Sequence, residues 1–215
     1  MPTPLADFFD GLQIESATFH LPGTRQHSRT AGGEVLSAVM GTSLWRGTVT
    51  VTPGYYRDVA AVQARVEALD HAGDPFLVHS LPIWTPAHDP DGSIIASHSP
   101  TIGNLNPNNR RLLIAGLPPG YRLQAGDFLS FEYGENPTRY ALHRVVGPTR
   151  TANSEGNMNQ IDVLPHIRPG ATVGAAVTLV KPVCKAVMVP GSIRWPSSSA
   201  LITDGLSFDF IQTLA

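Results

Sequence analysis

Residues 128–146 read FLSFEY-GENPT-RYALHRVV, and this stretch decides the fold class. Phe128 to Tyr133 is rich in aromatic residues and opens after Gly126-Asp127. Gly134 to Thr138 supplies Gly, Asn and Pro, which turn a chain. Arg139 to Val146 then returns as a second run with Tyr, Leu and Val. Two β-favouring runs around a short connection of this kind read as an antiparallel hairpin.

The same pattern continues outward. Upstream, Arg111 to Ala115 (RLLIA) is a strand that stops at Pro118-Pro119-Gly120, and Phe76 to Val78 is a short buried one. Ser80 to Asn109 is rich in Pro, Gly, Asn, Asp and Ser, with poor strands expected around Ser93 to Ser97 and around Thr101. Downstream, strands are expected over Gln160 to Leu164, Thr172 to Val180, Val183 to Val189 and Leu206 to Thr213. Near the start, Leu12 to His20, Glu34 to Met40 and Leu44 to Thr52 read as strands, and Thr24 to Gly33 reads as an exposed loop or hairpin tip. One segment has a different period. Val59, Val62, Val66 and Leu69 recur every three or four residues between charged ones, which predicts an amphipathic helix from about Tyr55 to His71. Thr52-Pro53 precedes it and Gly73 stops it. The sum is a mainly β chain: a β-sandwich or barrel of roughly ten to twelve short strands, with one helix packed against it.

Composition agrees. Of 215 residues, 42% are hydrophobic, enough for a packed core. Only 15% are charged, where about 25% is usual. Twenty glycines and 19 prolines exceed the average share of about 12%. A net charge of −2 leaves no basic field for nucleic acid. No apolar run is long enough for a membrane helix. The opening MPTPLADFFDGLQIES has no basic segment followed by an apolar one, so no secretory signal is expected.

The residues that carry chemistry elsewhere are scattered here. The eight histidines (20, 27, 71, 79, 88, 98, 143 and 166) show no zinc spacing. His88, Asp89, Asp91 and His98 form the densest group and read as a polar loop. Ser97-His98-Ser99 with Asp204 could be assembled on paper into a hydrolase triad, but no GxSxG elbow accompanies it. Cys184 lies in an apolar strand and reads as core filling. Gly116, Gly120 and Gly126 make no phosphate-binding pattern, and Arg110-Arg111 is a lone basic pair. Trp45 reads as core. Trp84, between Pro82 and Pro86, reads as a contact residue. His143, mid-strand in ALHRVV, should stay neutral in mild acid if it faces the core. No catalytic, cofactor-binding or metal-binding residue is assigned, and no enzyme activity or cofactor is expected.

The order of elements carries a resemblance. Trp45-Arg46-Gly47 enters a strand ending at Thr52-Pro53, followed by AAVQARVEAL (60–69) and GDPFLVH (73–79). GLPPGY (116–121), LQAGDFLSF (123–131), YALHRVV (140–146) and VLPHIRPG (163–170) follow, and the series closes with Lys181-Pro182 and the apolar Ala186 to Pro190. From about Leu44 to Leu214 this series resembles distal tail proteins of long-tailed bacteriophages and phage-like gene transfer agents. LQAGDFLSF and VLPHIRPG are its most specific segments. The resemblance implies a structural virion protein: a tail-tip ring subunit, in a hexamer, connecting the tail tube protein to the baseplate hub. It implies a place at the virion tail tip after assembly in the host cytoplasm, with neither nucleic acid nor membrane as partner. On this reading 1–43 is a candidate assembly arm of strands and a polar loop, and 44–215 is the core. Low charge suits a chain that buries large interfaces, whose centres are depleted in charge. The alternative is a carbohydrate- or receptor-binding barrel of the tail tip, with Tyr55, Tyr56 and Trp84 as contacts. A small Ser/His/Asp hydrolase is the third reading.

Overall fold

The computed structural model describes residues 1–199 and 201–215. Its strands, in chain order, are β1 (Ile14–Ala17), β2 (Arg25–Arg29), β3 (Val35–Val39), β4 (Arg46–Val51) and β5 (Gly54–Tyr55). The helix α1 (Tyr56–Ala72) follows, and then β6 (Phe76–His79), β7 (Thr101–Leu105), β8 (Arg111–Ala115), β9 (Arg122–Leu123), β10 (Phe128–Tyr133) and β11 (Arg139–Val145). The chain ends through β12 (Arg150–Thr151), β13 (Met158–Leu164), β14 (Val177–Thr178), β15 (Val183–Met188), β16 (Ser198–Ser199), β17 (Ile202–Thr203) and β18 (Ser207–Gln212). The protein is therefore mainly β with a single helix among the described residues. The hairpin of β10 and β11 runs as its sequence reads, with Phe128 opposite Arg144 and Tyr133 opposite Arg139.

The chain packs as two units. One holds Ala6–Pro75 and Ala186–Thr213 with Met1, and the other holds Pro2–Leu5, Phe76–Lys185 and Leu214–Ala215. The boundary thus falls elsewhere than between residues 43 and 44. The reason is pairing: β1, before that point, bonds to β4, after it, with Ile14 opposite Val51.

In the first unit the strand order is β1-β4-β18-β15. In β4 and β18 every second residue is buried and those between are half-buried or, at Arg46, exposed, the period of a sheet with one face in a core. That core is aromatic. Phe19 lies 5.1 Å from Trp45 and 5.7 Å from Phe210, ring centre to ring centre, and Phe8 lies 6.1 Å from Phe208. Gly47 is needed beneath them, because a Cβ there would run into the Thr18 carbonyl and the Phe210 ring. Helix α1 buries Val59 and Val66, while Val62 and Leu69 are half-buried. Its contacts are to the small sheet β16-β17-β5. It ends at Gly73 in the left-handed region (φ 65°), whose N–H bonds the Asp70 and Leu69 carbonyls.

In the second unit six strands run in the order β14-β10-β11-β13-β8-β7. This sheet curls into a half-barrel. Thr101 of β7 bridges to Ala176, next to β14, and Ile102 N–H donates to the Ala175 carbonyl at 2.9 Å, so the two ends of the sheet meet. Inside lie Ile102, Leu112, Ile114, Phe131, Met158 and Val163 among others.

Short strands such as β9 and β12 add to those expected, and three stretches differ from their sequence reading for a visible reason. Ser93–Ser97 is turn rather than strand, because the buried Asp89 carboxylate takes the Ile94 and Ile95 N–H groups at 3.1 and 3.0 Å. The Thr172–Val180 strand shrinks to β14, since Ala171 and Ala175 N–H groups close local turns on Arg168 and Thr172 carbonyls. The polar residues 25–29, read as part of a loop or hairpin tip, form β2 because β3 supplies the paired edge.

Candidate assembly surfaces and a polar groove

β2 and β3 form a two-stranded ribbon of their own, and all ten of their residues are exposed. Five cross-strand pairs hold it, from Arg25↔Val39 to Arg29↔Val35. The Thr24 hydroxyl donates to the Gly41 carbonyl at 2.6 Å at the base, and Thr30 Oγ1 accepts from Glu34 N–H at 3.1 Å at the tip. One face carries Arg25, His27 and Arg29 beside Val39, Ser37 and Val35, since directly paired residues share a face. Val35, Leu36, Val39 and Met40 are 56 to 71% exposed. An isolated two-stranded hairpin is marginal in water, and this one lays its apolar strand open to solvent.

A second apolar patch lies in the same unit. Ile202 of β17 pairs with Tyr55 of β5, and the Tyr56 N–H donates to the Leu201 carbonyl. All four side chains are exposed large hydrophobics. Trp84, in the other unit, is also exposed. Its carbonyl takes the Lys181 N–H at 2.6 Å, which ties this segment down.

The buried polar groups of the second unit organise loops. Asp89 is fully buried, and besides Ile94 and Ile95 it faces the Tyr121 hydroxyl at 3.5 Å. Asp127 accepts from Ala87 N–H at 3.0 Å and Gln124 N–H at 2.8 Å. Burial, and then the two carboxylates, push the Tyr121 hydroxyl pKa well up. His143 points into the core, stacked on Phe131 at 5.3 Å, with Nδ1 2.7 Å from the Pro165 carbonyl. Its Nε2 is buried without a partner. Burial lowers its pKa to about 4, against the help of the Pro165 bond, and Arg168 lowers it further.

The triad residues do not assemble in one unit. Ser97 and His98 touch as neighbours in an exposed turn, Oγ to Nδ1 at 3.2 Å, and Asp204 belongs to the other unit. Cys184 is buried, and burial raises its thiol pKa. Among the described residues no three or more His, Cys, Asp or Glu side chains cluster in a way that could hold a metal ion. No helix among them is long and apolar enough to cross a membrane.

One feature has no counterpart in the sequence reading. A groove of about 520 Å³ opens on the outer face of β7, β8 and β13. Asn104, Asn106, Asn159 and Gln160 reach it from three segments, and Arg111 lines it from the middle strand. The two flanking strands are both irregular: the register slips between Ile102 and Asn104 in β7 and between Met158 and Ile161 in β13. Bulges of this kind re-aim side chains. Only pairing across β8 could reveal them.

No protein-family model matches the chain, and no curated protein matches it.

Proposed function

We propose that this protein is a structural subunit of a phage-like tail tip, building a distal-tail ring between the tail tube and the baseplate hub. The observation that supports this reading best is the exposed β2–β3 ribbon with its apolar strand. A ring subunit needs two different surfaces, one for each neighbour, because cyclic contacts are heterologous. The ribbon and the Tyr55, Tyr56, Leu201 and Ile202 patch are two such surfaces on one unit. Covering each large apolar side chain contributes about 1.5–3 kcal/mol before the cost of association. The resemblance over residues 44–214 supplies the place in the particle, and the hexamer with it.

The test is the absolute mass of the purified chain by light scattering, with negative-stain images of the same peak. A closed ring of six is expected. A variant with residues 24–41 replaced by a short Gly-rich turn should run as a folded monomer. The reading fails if the intact chain is monomeric both alone and with tail tube protein present, or if the trimmed chain still forms the ring.

A further inference from the structure

We propose that the groove over β8 is a binding site for a neutral, polyhydroxylated ligand of the pyranose-sugar class. The inference is independent of the ring reading and concerns the other unit of the chain.

The groove's volume falls within the range of small-molecule sites. Its walls are primary amides. Asn104 comes from β7, and Asn159 and Gln160 from β13. Among the described residues these three amides have no hydrogen-bond partner in the protein. Each amide offers donors and acceptors together, the pairing that vicinal hydroxyls require. A carboxylate or phosphate would want uncompensated cations instead. The guanidinium available, Arg111, is already held by Asp162, Nε to Oδ1 at 2.6 Å. The site is therefore polar and close to neutral.

The floor is apolar. The Leu113 side chain lies over Gly103, where a Cβ would collide with it. An apolar floor under amide walls matches a sugar ring, which has a C–H face and a hydroxyl rim. None of the lining side chains is an exposed aromatic or other large exposed hydrophobic group, so the anchors of a protein–protein hot spot are missing here.

Backbone geometry sets the walls. Gln160 has φ 55°, in the left-handed region that a long side chain rarely adopts. It stands in the β13 bulge, and on the other side of β8 the bulge at Gly103 leaves Asn104 of β7 paired with Leu113. Positions of this kind concentrate at functional sites because the fold must hold them against their preference.

The test is ¹⁵N NMR titration of the intact chain with neutral mono- and disaccharides (glucose, galactose, N-acetylglucosamine and lactose), with sialic acid and inorganic phosphate as anionic probes. The side-chain amide signals of Asn104, Asn159 and Gln160 should move together with at least one neutral sugar, with millimolar affinity. Gln160→Gly removes one amide at a φ that glycine accepts without strain, so this variant folds at least as well. It should weaken binding about tenfold, as should Asn159→Ala. The proposal is overturned if no neutral sugar shifts these signals, if only the anions do, or if both variants bind as well as the parent. Ring formation does not enter any of these readouts.

Discussion

His143 is the residue whose environment most alters its chemistry. In the unfolded chain it titrates near the ordinary 6.5, and in the folded protein burial holds it down to about 4. Above pH 6.5 both states are neutral and the shift has no effect on stability. Between about 6.5 and 4 the unfolded chain takes up a proton that the folded one does not. Stability therefore falls as pH falls through this window, by about 3 kcal/mol at its lower end. Urea midpoints at pH 7 and pH 5 should show the drop. His143→Phe keeps the stack on Phe131 but forgoes the Pro165 bond, which costs about 1 kcal/mol at neutral pH. Its midpoint should then vary less between the two pH values, and an equal acid slope would show that His143 is not the group responsible. The residue's position in ALHRVV was legible from sequence. Its burial was not, because alternation alone does not say which face of a strand meets the core.

At the scale of elements, the 89–95 turn is held by the Asp89 carboxylate rather than by strand pairing. Asp89 accepts from two successive backbone N–H groups, and replacing it by alanine leaves both without that acceptor. Asp89→Ala should cost about 2 kcal/mol or more by chemical denaturation and open the segment to limited proteolysis. Asp89→Asn keeps one acceptor and should lie between variant and parent. Equal protease resistance in all three would show that the loop is held by other contacts. Ile94-Ile95 in a sequence suggests a strand, and nothing local shows that a buried side chain claims their N–H groups. The opposite error occurs at Arg25–Arg29. A polar, charged run suggests a loop, yet its backbone pairs fully with β3. Strand formation there follows from the neighbouring edge, which composition cannot show. The helix was easier to read. Its 3.6-residue stripe and Gly73 stop are local, and the observed Tyr56–Ala72 differs from the expected span by one residue at each end.

For the whole molecule, the low charge predicts how the ring should respond to salt. The large hydrophobic side chains exposed on the two surfaces assigned to neighbouring copies are Val, Leu, Met, Ile and Tyr. At 1 M salt the Debye length is about 3 Å, so contacts held by exposed ion pairs loosen. A ring held by apolar burial should keep its mass there, measured by light scattering across a salt series. Dissociation with rising salt would assign the contact instead to Arg25 and Arg29 on the ribbon. Division into two units was not visible in the chain, because one boundary falls at Pro75 in the short connection between α1 and β6 and another at Lys185 inside β15.

What the amino-acid sequence determined by itself is the local grammar: a mainly β chain, the hairpin at 128–145, the helix at 56–72, and a core of aromatic and branched residues. Each of these follows from periodicity or turn chemistry within about twenty residues, where near neighbours dominate the energy. Tertiary structure alone decided the rest. It joined Ala175 and Ala176 to β7, left β2 and β3 without a sheet to join, and placed Asn104 and Gln160 on either side of Leu113. These are contacts between residues far apart in the chain. They are set by which edges and faces remain free once the local elements have formed.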